Sequence, residues 1–161
     1  MNKYAKYDLI DAEDFAEIYG WPIGRWDVSL VENFSHLFYL KASFNENMGS
    51  WDVSNVTIMQ SMFQSASAFN QDLSAWDVSS VTTMQNMFRA ASAFNHNISA
   101  WNVSRVTDTH HMFDHASAFN QDLSAWNVSS VTNIHQMFRF ASAFNHDLSA
   151  WDVSSATDMH Y

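Results

Sequence analysis

Hydrophobic and polar positions recur along this chain with a period of 25 residues. Tryptophan marks the period most plainly, because it returns at the same place in every unit without an insertion. A fixed period of this length predicts a solenoid, since each unit can bury its apolar face only against its neighbours. The units are 26–50, 51–75, 76–100, 101–125, 126–150 and a partial sixth, 151–161.

The first half of each unit predicts a short strand. The run from Leu73 to Val81 places apolar residues at i, i+3, i+5 and i+8. That is the spacing of a leucine-rich repeat, with Val in the place of its Asn. Because side chains alternate along a strand, we expect Trp76 and Val78 inside and Asp77 outside.

The second half of each unit predicts a helix. From Val81 to Ala91, apolar residues recur every three or four positions and form a stripe. Thr82 and Gln85 have the spacing of a helix capping box. The predicted fold is therefore an α/β solenoid, leucine-rich-repeat-like, a right-handed coil of about five and a half strand–helix repeats.

Stacking of such units aligns equivalent residues in columns through the core. The asparagines that recur from Asn45 to Asn145 are expected to form a buried amide ladder, which satisfies backbone groups at the turns. The aromatic columns are Trp51, Trp76, Trp101 and Trp126, then Phe63, Phe88, Phe113 and Phe138, then Phe69, Phe94, Phe119 and Phe144.

The two ends of the array differ. Residues 1–25 do not repeat and predict an N-terminal helical cap, with Asp8 as N-cap and Gly20 as its end. Together with the repeats, 26–161, the cap is expected to form one domain. No cap follows the partial sixth unit, so either the array continues in a longer protein or another chain covers this end. In the second case the interface residues are Met137, Phe138, Phe144 and Trp151.

Composition excludes several classes of function. Seventeen acidic and seven basic side chains give a net charge of −10, and phosphate binding needs a basic stripe, so we expect no nucleic-acid partner. The absence of cysteine excludes disulfides, Cys-ligated metal sites and a thiol nucleophile. No apolar run approaches the roughly 20 residues of a membrane span, so we expect no membrane insertion. The N-terminus shows no continuous apolar region of a signal peptide.

The repeated unit FNxDLSxWDVSxVTxMxxMFxxA, present through 26–161, resembles the repeat of BspA-like leucine-rich-repeat surface proteins, first seen in mycoplasma surface lipoproteins. The stretch IYGWPIGRWDVS is similar to that family's usual entry into the array. The resemblance implies a leucine-rich-repeat-like fold and no enzyme activity. It also implies a role in adhesion or protein recognition, at the cell surface or outside the cell.

The outward positions of the predicted strand form the first candidate binding site. Carboxylates one strand apart repel each other, and a basic protein partner would relieve that repulsion. Alternatively, each Asp accepts hydrogen bonds from the Ser two residues later, in an Asx-type turn. A flat row of single carboxylates offers few of the six to eight or so oxygens that Ca²⁺ prefers. The row comprises Asp27, Asp52, Asp77, Asn102, Asn127 and Asp152, with Ser54, Ser79, Ser104 and Ser129.

Histidines form the second candidate site. His111 and His115 stand four apart, which on a helix can hold zinc, copper or nickel. Met112 occupies the place of the glutamate in a metalloprotease HExxH motif, and we expect solvated surface histidines with no metal and no cofactor. The chain has no Gly-rich phosphate loop and no G-x-S-x-G elbow, so an enzyme is not expected.

We therefore expect a non-enzymatic interaction module, which recognises a protein or a glycan through the surface of its repeats. The first alternative is a structural subunit of a larger assembly, docked or self-associated through its open C-terminal end. The second alternative is a surface module that binds a divalent metal.

Overall fold

The chain folds into stacked units whose backbones meet through parallel bridges between equivalent residues. The structure, a computed structural model, describes residues 22–159. Each bridge is a single residue pair, so no extended strand forms in the described part of the chain. The bridged residues are Asn33, Ile58, Thr83, Asp108, Asn133 and Asp158.

The helical content of the described chain is one 3₁₀ turn, Ile23–Arg25. Ile23 in this turn is fully buried, and its carbonyl accepts a hydrogen bond from the Trp26 amide at 3.0 Å. This turn lies at the end of the segment predicted as a helical cap, and residues 1–21 of that segment lie outside the described residues. The division into a cap and a repeat array therefore stays a prediction. Over 22–159, the structure has no helix that could cross a membrane.

The predicted α/β, leucine-rich-repeat-like solenoid of strand–helix repeats is wrong. The second half of each unit is a series of tight turns instead of a helix. In the third unit, the Phe88 amide donates to the Met112 carbonyl of the next unit at 2.9 Å. The adjacent Arg89 amide donates to the Asn86 carbonyl three residues back at 3.1 Å. These two patterns alternate along the segment, whereas an α-helix would send every amide four residues back.

Left-handed backbone conformations explain why these segments do not form helices. Two residues of each segment, four positions apart, have positive φ, such as Asn86 at 56° and Ala90 at 55°. A residue in this region ends a right-handed helix, and here alternate amides donate to the neighbouring unit. Apolar side chains spaced three or four apart fit these successive turns as well as a helix. The residues with positive φ are His36, Leu40, Ser61, Ser65, Asn86, Ala90, His111, His115, Gln136 and Phe140.

The predicted strand in the first half of each unit is also replaced by turns. The Trp76 amide donates to the Leu73 carbonyl at 3.1 Å, and the Val81 amide donates to the Val78 carbonyl at 2.9 Å. The predicted alternation of side chains is nevertheless confirmed. Trp76 and Val78 are buried and Asp77 is exposed.

The core consists of the predicted aromatic columns. The Phe88 ring lies 5.5 Å from Phe63 and 5.7 Å from Phe113, nearly parallel to both. Within its own unit the same ring stacks on Phe94 at 4.0 Å. The two phenylalanine columns thus pack against each other as well as along the stack. Each buried aromatic side chain removes on the order of 150–250 Å² from water, so these columns contribute to stability together with the buried Met, Val and Ala side chains.

Each indole N–H donates to a carbonyl 28 residues earlier in the chain, so the bond spans the whole intervening 25-residue unit in sequence. The Trp101 Nε1 donates to the Leu73 carbonyl at 3.0 Å, in the buried core. The same carbonyl also accepts the Trp76 backbone amide at 3.1 Å, so the indole bond uses its second acceptor site. The donors of equivalent bonds are Trp51, Trp76, Trp126 and Trp151.

The predicted asparagine ladder is present, but its side chains are exposed instead of buried. The Asn95 Oδ1 accepts the Asn120 amide at 2.8 Å and the Gln121 side-chain amide at 2.8 Å. Equivalent bonds to a backbone amide continue along the ladder from Asn45 to Asn145. The ladder therefore satisfies backbone donors at the surface edge of the stack.

Candidate interaction surfaces

The predicted acidic row lies at exposed positions of successive units. In the second unit the Asp52 Oδ1 accepts the Ser54 amide at 3.1 Å and the Ser54 hydroxyl at 2.7 Å. The Asx-turn alternative thus describes the local geometry, and Asn102 makes the same two bonds with Ser104. The exposed members are Asp27, Asp52, Asp77, Asn102, Asn127 and Asp152, and the half-buried serines include Ser54, Ser79, Ser104 and Ser129.

These hydrogen bonds favour the ionised form of the carboxylates in the row. Donation from the Ser54 side chain and backbone holds the pKa of Asp52 below its ordinary value. The neighbouring charges of Asp27 and Asp77 act against this shift and raise the pKa, but by less. Each bond goes to Oδ1, so the other carboxylate oxygen is left for an external donor. The row therefore presents fixed negative charge at neutral pH.

Sequence reasoning missed a second row of the same kind, five positions before the first. The Asp72 Oδ1 accepts the Ser74 amide at 2.9 Å, and the bond lowers the pKa of Asp72. The signal was available, because an Asp or Asn two residues before Ser or Gly recurs in each unit. The members of this second row are Asn47, Asp72, Asn97, Asp122 and Asp147.

A fully buried carboxylate, Asp114, lies between two arginines of the adjacent units. Arg139 of the next unit donates two hydrogen bonds to it, both 3.0 Å long. Arg89 of the preceding unit donates one bond of 3.2 Å from its Nε. The three residues occupy equivalent positions 25 residues apart. That spacing was the available signal for this network, which sequence reasoning missed.

Two histidines complete the surroundings of Asp114. The Nδ1 of His115 lies 2.7 Å from Oδ1, and the Nδ1 of His111 lies 3.2 Å from Oδ2. Burial is the largest single influence on the pKa of Asp114 and raises it. Hydrogen bonds from Arg139 and His115 outweigh that effect, so the pKa lies below its ordinary value. Burial lowers the pKa of His111, although the charge of Asp114 acts in the opposite direction.

His111 and His115 do not lie on a helix, so the helical spacing that made them a candidate metal pair is absent. Both Nδ1 atoms of His111 and His115 are instead engaged with Asp114. Among the residues that the structure describes, no group of three or more histidine or carboxylate side chains is arranged to hold a metal ion.

The imidazole of His111 also packs against two further histidines. Its ring centroid lies 5.4 Å from that of His110 and 5.3 Å from that of His135. The Nδ1 of His110 lies 2.9 Å from the Asp108 Oδ1. Most of the titratable groups that face His111 therefore belong to the fourth and fifth units.

Three of the four predicted interface residues line an apolar concavity of about 640 Å³ in the last units. Met137 is buried, and Phe138 and Trp151 are half-buried at its wall. Phe144, also predicted for this interface, is half-buried and does not line the concavity. Ile134, Leu148, Val153 and Met159 complete the apolar lining.

The sequence of the repeated units was compared with known families. The sequence matches the family described as "Mycoplasma protein of unknown function, DUF285" over residues 12–113 and again over 75–161. The chain belongs to this family. The two matches overlap because the same 25-residue unit recurs along this chain. This result is consistent with the predicted mycoplasma-type repeat family. Comparison with curated proteins and with solved structures gave no significant match.

Proposed function

We propose that this DUF285 chain is a non-enzymatic interaction module that binds a protein partner through the exposed surface of its repeats. The observation that carries the proposal is the acidic row, in which equivalent side chains are each fixed by a serine two residues later. The row runs from Asp27 to Asp152 and contains four carboxylates and two amides.

A row of this kind suits a partner with a basic surface. Its carboxylates are held in place before binding, so association orders few side chains, which lowers the entropic cost. The net charge of −10 steers basic partners toward the chain and disfavours acidic ones. A glycan is the second class of ligand, because carboxylate and amide oxygens also accept hydrogen bonds from hydroxyl groups.

The resemblance to BspA-like surface proteins supports the same function. That resemblance implies adhesion or protein recognition, and it implies a location at the cell surface or outside the cell. Within the mycoplasma-type repeat family, the repeated motif is the basis for proposing the BspA-like type.

The proposal is tested with a fluorescently labelled oligolysine peptide as a basic probe. The double variant Asp52→Asn, Asp77→Asn keeps the serine hydrogen bonds, since Asn102 and Asn127 make them already. We expect its affinity for the peptide to fall about tenfold in fluorescence anisotropy, with an unchanged melting temperature.

The matched control removes two charges from the second row, as Asp72→Asn, Asp122→Asn. We expect this control to bind the peptide nearly as well as the unmodified chain. An equal loss of affinity in both double variants would mean that only overall charge matters, and the row would not be the binding site.

The apolar concavity favours a second candidate function, a structural subunit that docks another chain against the concavity of its last described units. Apolar walls such as Met137 and Trp151 suit the stacking of another chain. The test is the mass in solution across a concentration series, by size-exclusion chromatography with light scattering. Concentration-dependent association that Phe138→Lys abolishes is the expected result. A monomer at every concentration would contradict self-assembly.

A further inference from the structure

The five full units share a core framework, and the positions at which they differ include two adjacent ones in the turn segment. All five carry the same Trp, Val and Phe at three framework positions of the core. The first variable position holds Tyr39, Gln64, Arg89, Asp114 and Arg139. The second holds a different residue in every unit, namely Leu40, Ser65, Ala90, His115 and Phe140.

Such differences within one repeat array indicate that individual units have their own binding properties. The backbone at the second position has positive φ in all five units, so the varied side chains are not needed to form the turn. Constant positions maintain the stack, while the variable positions are free to take residues that suit a ligand.

The variable positions of the third, fourth and fifth units form a partly exposed aromatic and cationic patch, which contains Arg89, His115, Arg139 and Phe140. Phe140 is 65% exposed. The Arg139 guanidinium lies 5.2 Å from its ring centroid, and the His115 ring lies 4.6 Å from it. These neighbours hold the Phe140 ring at the surface and leave most of it open to solvent.

The buried carboxylate of Asp114 holds both arginines of this patch in position. Arg89 donates to it only from Nε, so its terminal nitrogens remain for an external acceptor. Arg139 donates from Nε and one terminal nitrogen. Two guanidinium charges against one carboxylate charge leave one positive charge, within a chain of net charge −10.

We propose that Arg89, Arg139, His115 and Phe140 form a recognition site for a protein segment that carries a carboxylate next to an apolar side chain. This site is additional to the acidic row, which takes a partner of the opposite charge. A guanidinium binds carboxylates through its planar array of donors, and here the two guanidiniums are ordered before binding. Arginine and aromatic side chains are also enriched among the residues that dominate binding energy at protein interfaces.

The test uses a labelled peptide of alternating Glu and Phe as the probe, in fluorescence anisotropy. The variants take residue types already found at equivalent positions. Phe140→Ser corresponds to Ser65, and Arg89→Gln corresponds to Gln64. We expect each variant to lower the affinity about tenfold. The control Leu40→Ser removes another exposed apolar side chain of the same column, 60% exposed, and should bind as the unmodified chain does.

A second probe, a peptide of Glu alone, separates recognition from charge attraction. We expect the peptide of Glu alone to bind about tenfold more weakly than the Glu–Phe peptide. Equal binding of the two peptides would overturn the proposal, and so would equal loss in Leu40→Ser. Because Phe140 is exposed, Phe140→Ser should keep the circular dichroism spectrum and the melting temperature of the unmodified chain. Full affinity of this folded variant for the Glu–Phe peptide would also overturn the proposal.

Discussion

Arg139 donates two hydrogen bonds of 3.0 Å to the carboxylate of Asp114, one unit earlier in the stack. Asp114 has no exposed surface, while 35% of the Arg139 side chain is exposed. A carboxylate that is buried without its partners strongly destabilises a folded protein. The pair therefore fixes the fourth and fifth units in register.

Replacement of Arg139 by Gln should destabilise the chain. Gln64 occupies the equivalent position, so the new residue type fits the turn. Asp114 would lose its two-bond partner and keep only Arg89 and the histidines. We expect the free energy of unfolding to fall by about 2–3 kcal/mol in urea titrations followed by circular dichroism. The exposed Arg105→Gln serves as control, and a similar small loss in both variants would show that the pair does not stabilise the stack.

The stability of the chain should decrease as the pH falls below the ordinary histidine pKa of 6.5. Burial lowers the pKa of His111 in the folded state, so the unfolded chain binds a proton at a higher pH than the folded chain does. Acidification therefore favours unfolding. The charged and titratable groups that face His111 are Asp114, Arg89, His110 and His135.

The variant His111→Gln should have a smaller loss of stability over this pH range, measured as melting temperature from pH 7.5 downward. Gln136 occupies the equivalent position, so the turn tolerates this residue. The lowered pKa of Asp114 acts in a separate window, because its stabilisation is lost as the pH falls through its folded-state pKa, below 3.8. An unaltered pH profile in the variant would show that His111 is not the group responsible.

Replacement of Ala90 by Gly distinguishes the observed turns from a helix. Ala90 has a φ of 55°, a region that strains a residue with a Cβ but does not strain glycine. We expect the relief of strain to offset the greater entropy of unfolded glycine, so the free energy of unfolding stays equal or rises by about 0.5 kcal/mol. In a helix the same change would cost about 1 kcal/mol.

The neighbouring Ala91→Gly is the control for this comparison. Ala91 is buried and does not have positive φ, so its replacement should cost about 1 kcal/mol. Equal destabilisation by the two substitutions, measured by urea unfolding, would contradict the left-handed conformation of Ala90.

Replacement of Trp101 by Phe tests the bond that each indole N–H makes to a carbonyl 28 residues earlier in the chain. The variant removes the donor to the Leu73 carbonyl and leaves a small cavity in the core. We expect the free energy of unfolding to fall by about 2–3 kcal/mol. Trp151 makes the equivalent bond but is only half-buried, so Trp151→Phe should cost less. Circular dichroism is the suitable probe, because the change removes a fluorophore.

The exposure of the residues in the acidic row follows from the sequence, since they alternate with buried ones in each unit. Asp77 is exposed between the buried Trp76 and Val78, although these residues form turns and not a strand. Whether a side chain faces in or out depends on the apolar pattern. The direction of the backbone hydrogen bonds does not depend on that pattern. The exposed positions of the acidic row could therefore be predicted from the sequence, whereas the secondary structure could not.

The site around Asp114 could not be inferred from a helical reading of the fourth unit. On a helix His111 and His115 would share a face, and a metal would be their natural common partner. In the turns both histidines instead contact Asp114, together with Arg89 and Arg139. That contact depends on which residues of adjacent units lie opposite each other.

The sequence by itself determined the unit length, the register of the stack and the columns of Trp and Phe that form its core. Units that repeat every 25 residues can bury their aromatic side chains only by stacking in register. The tertiary structure alone decided the backbone path and the Asp114 network. Backbone amides such as that of Phe88 donate to the neighbouring unit, and this partner exists only after the units have stacked. Local spacing does not specify that choice, because the same apolar pattern suits a helix and a series of turns.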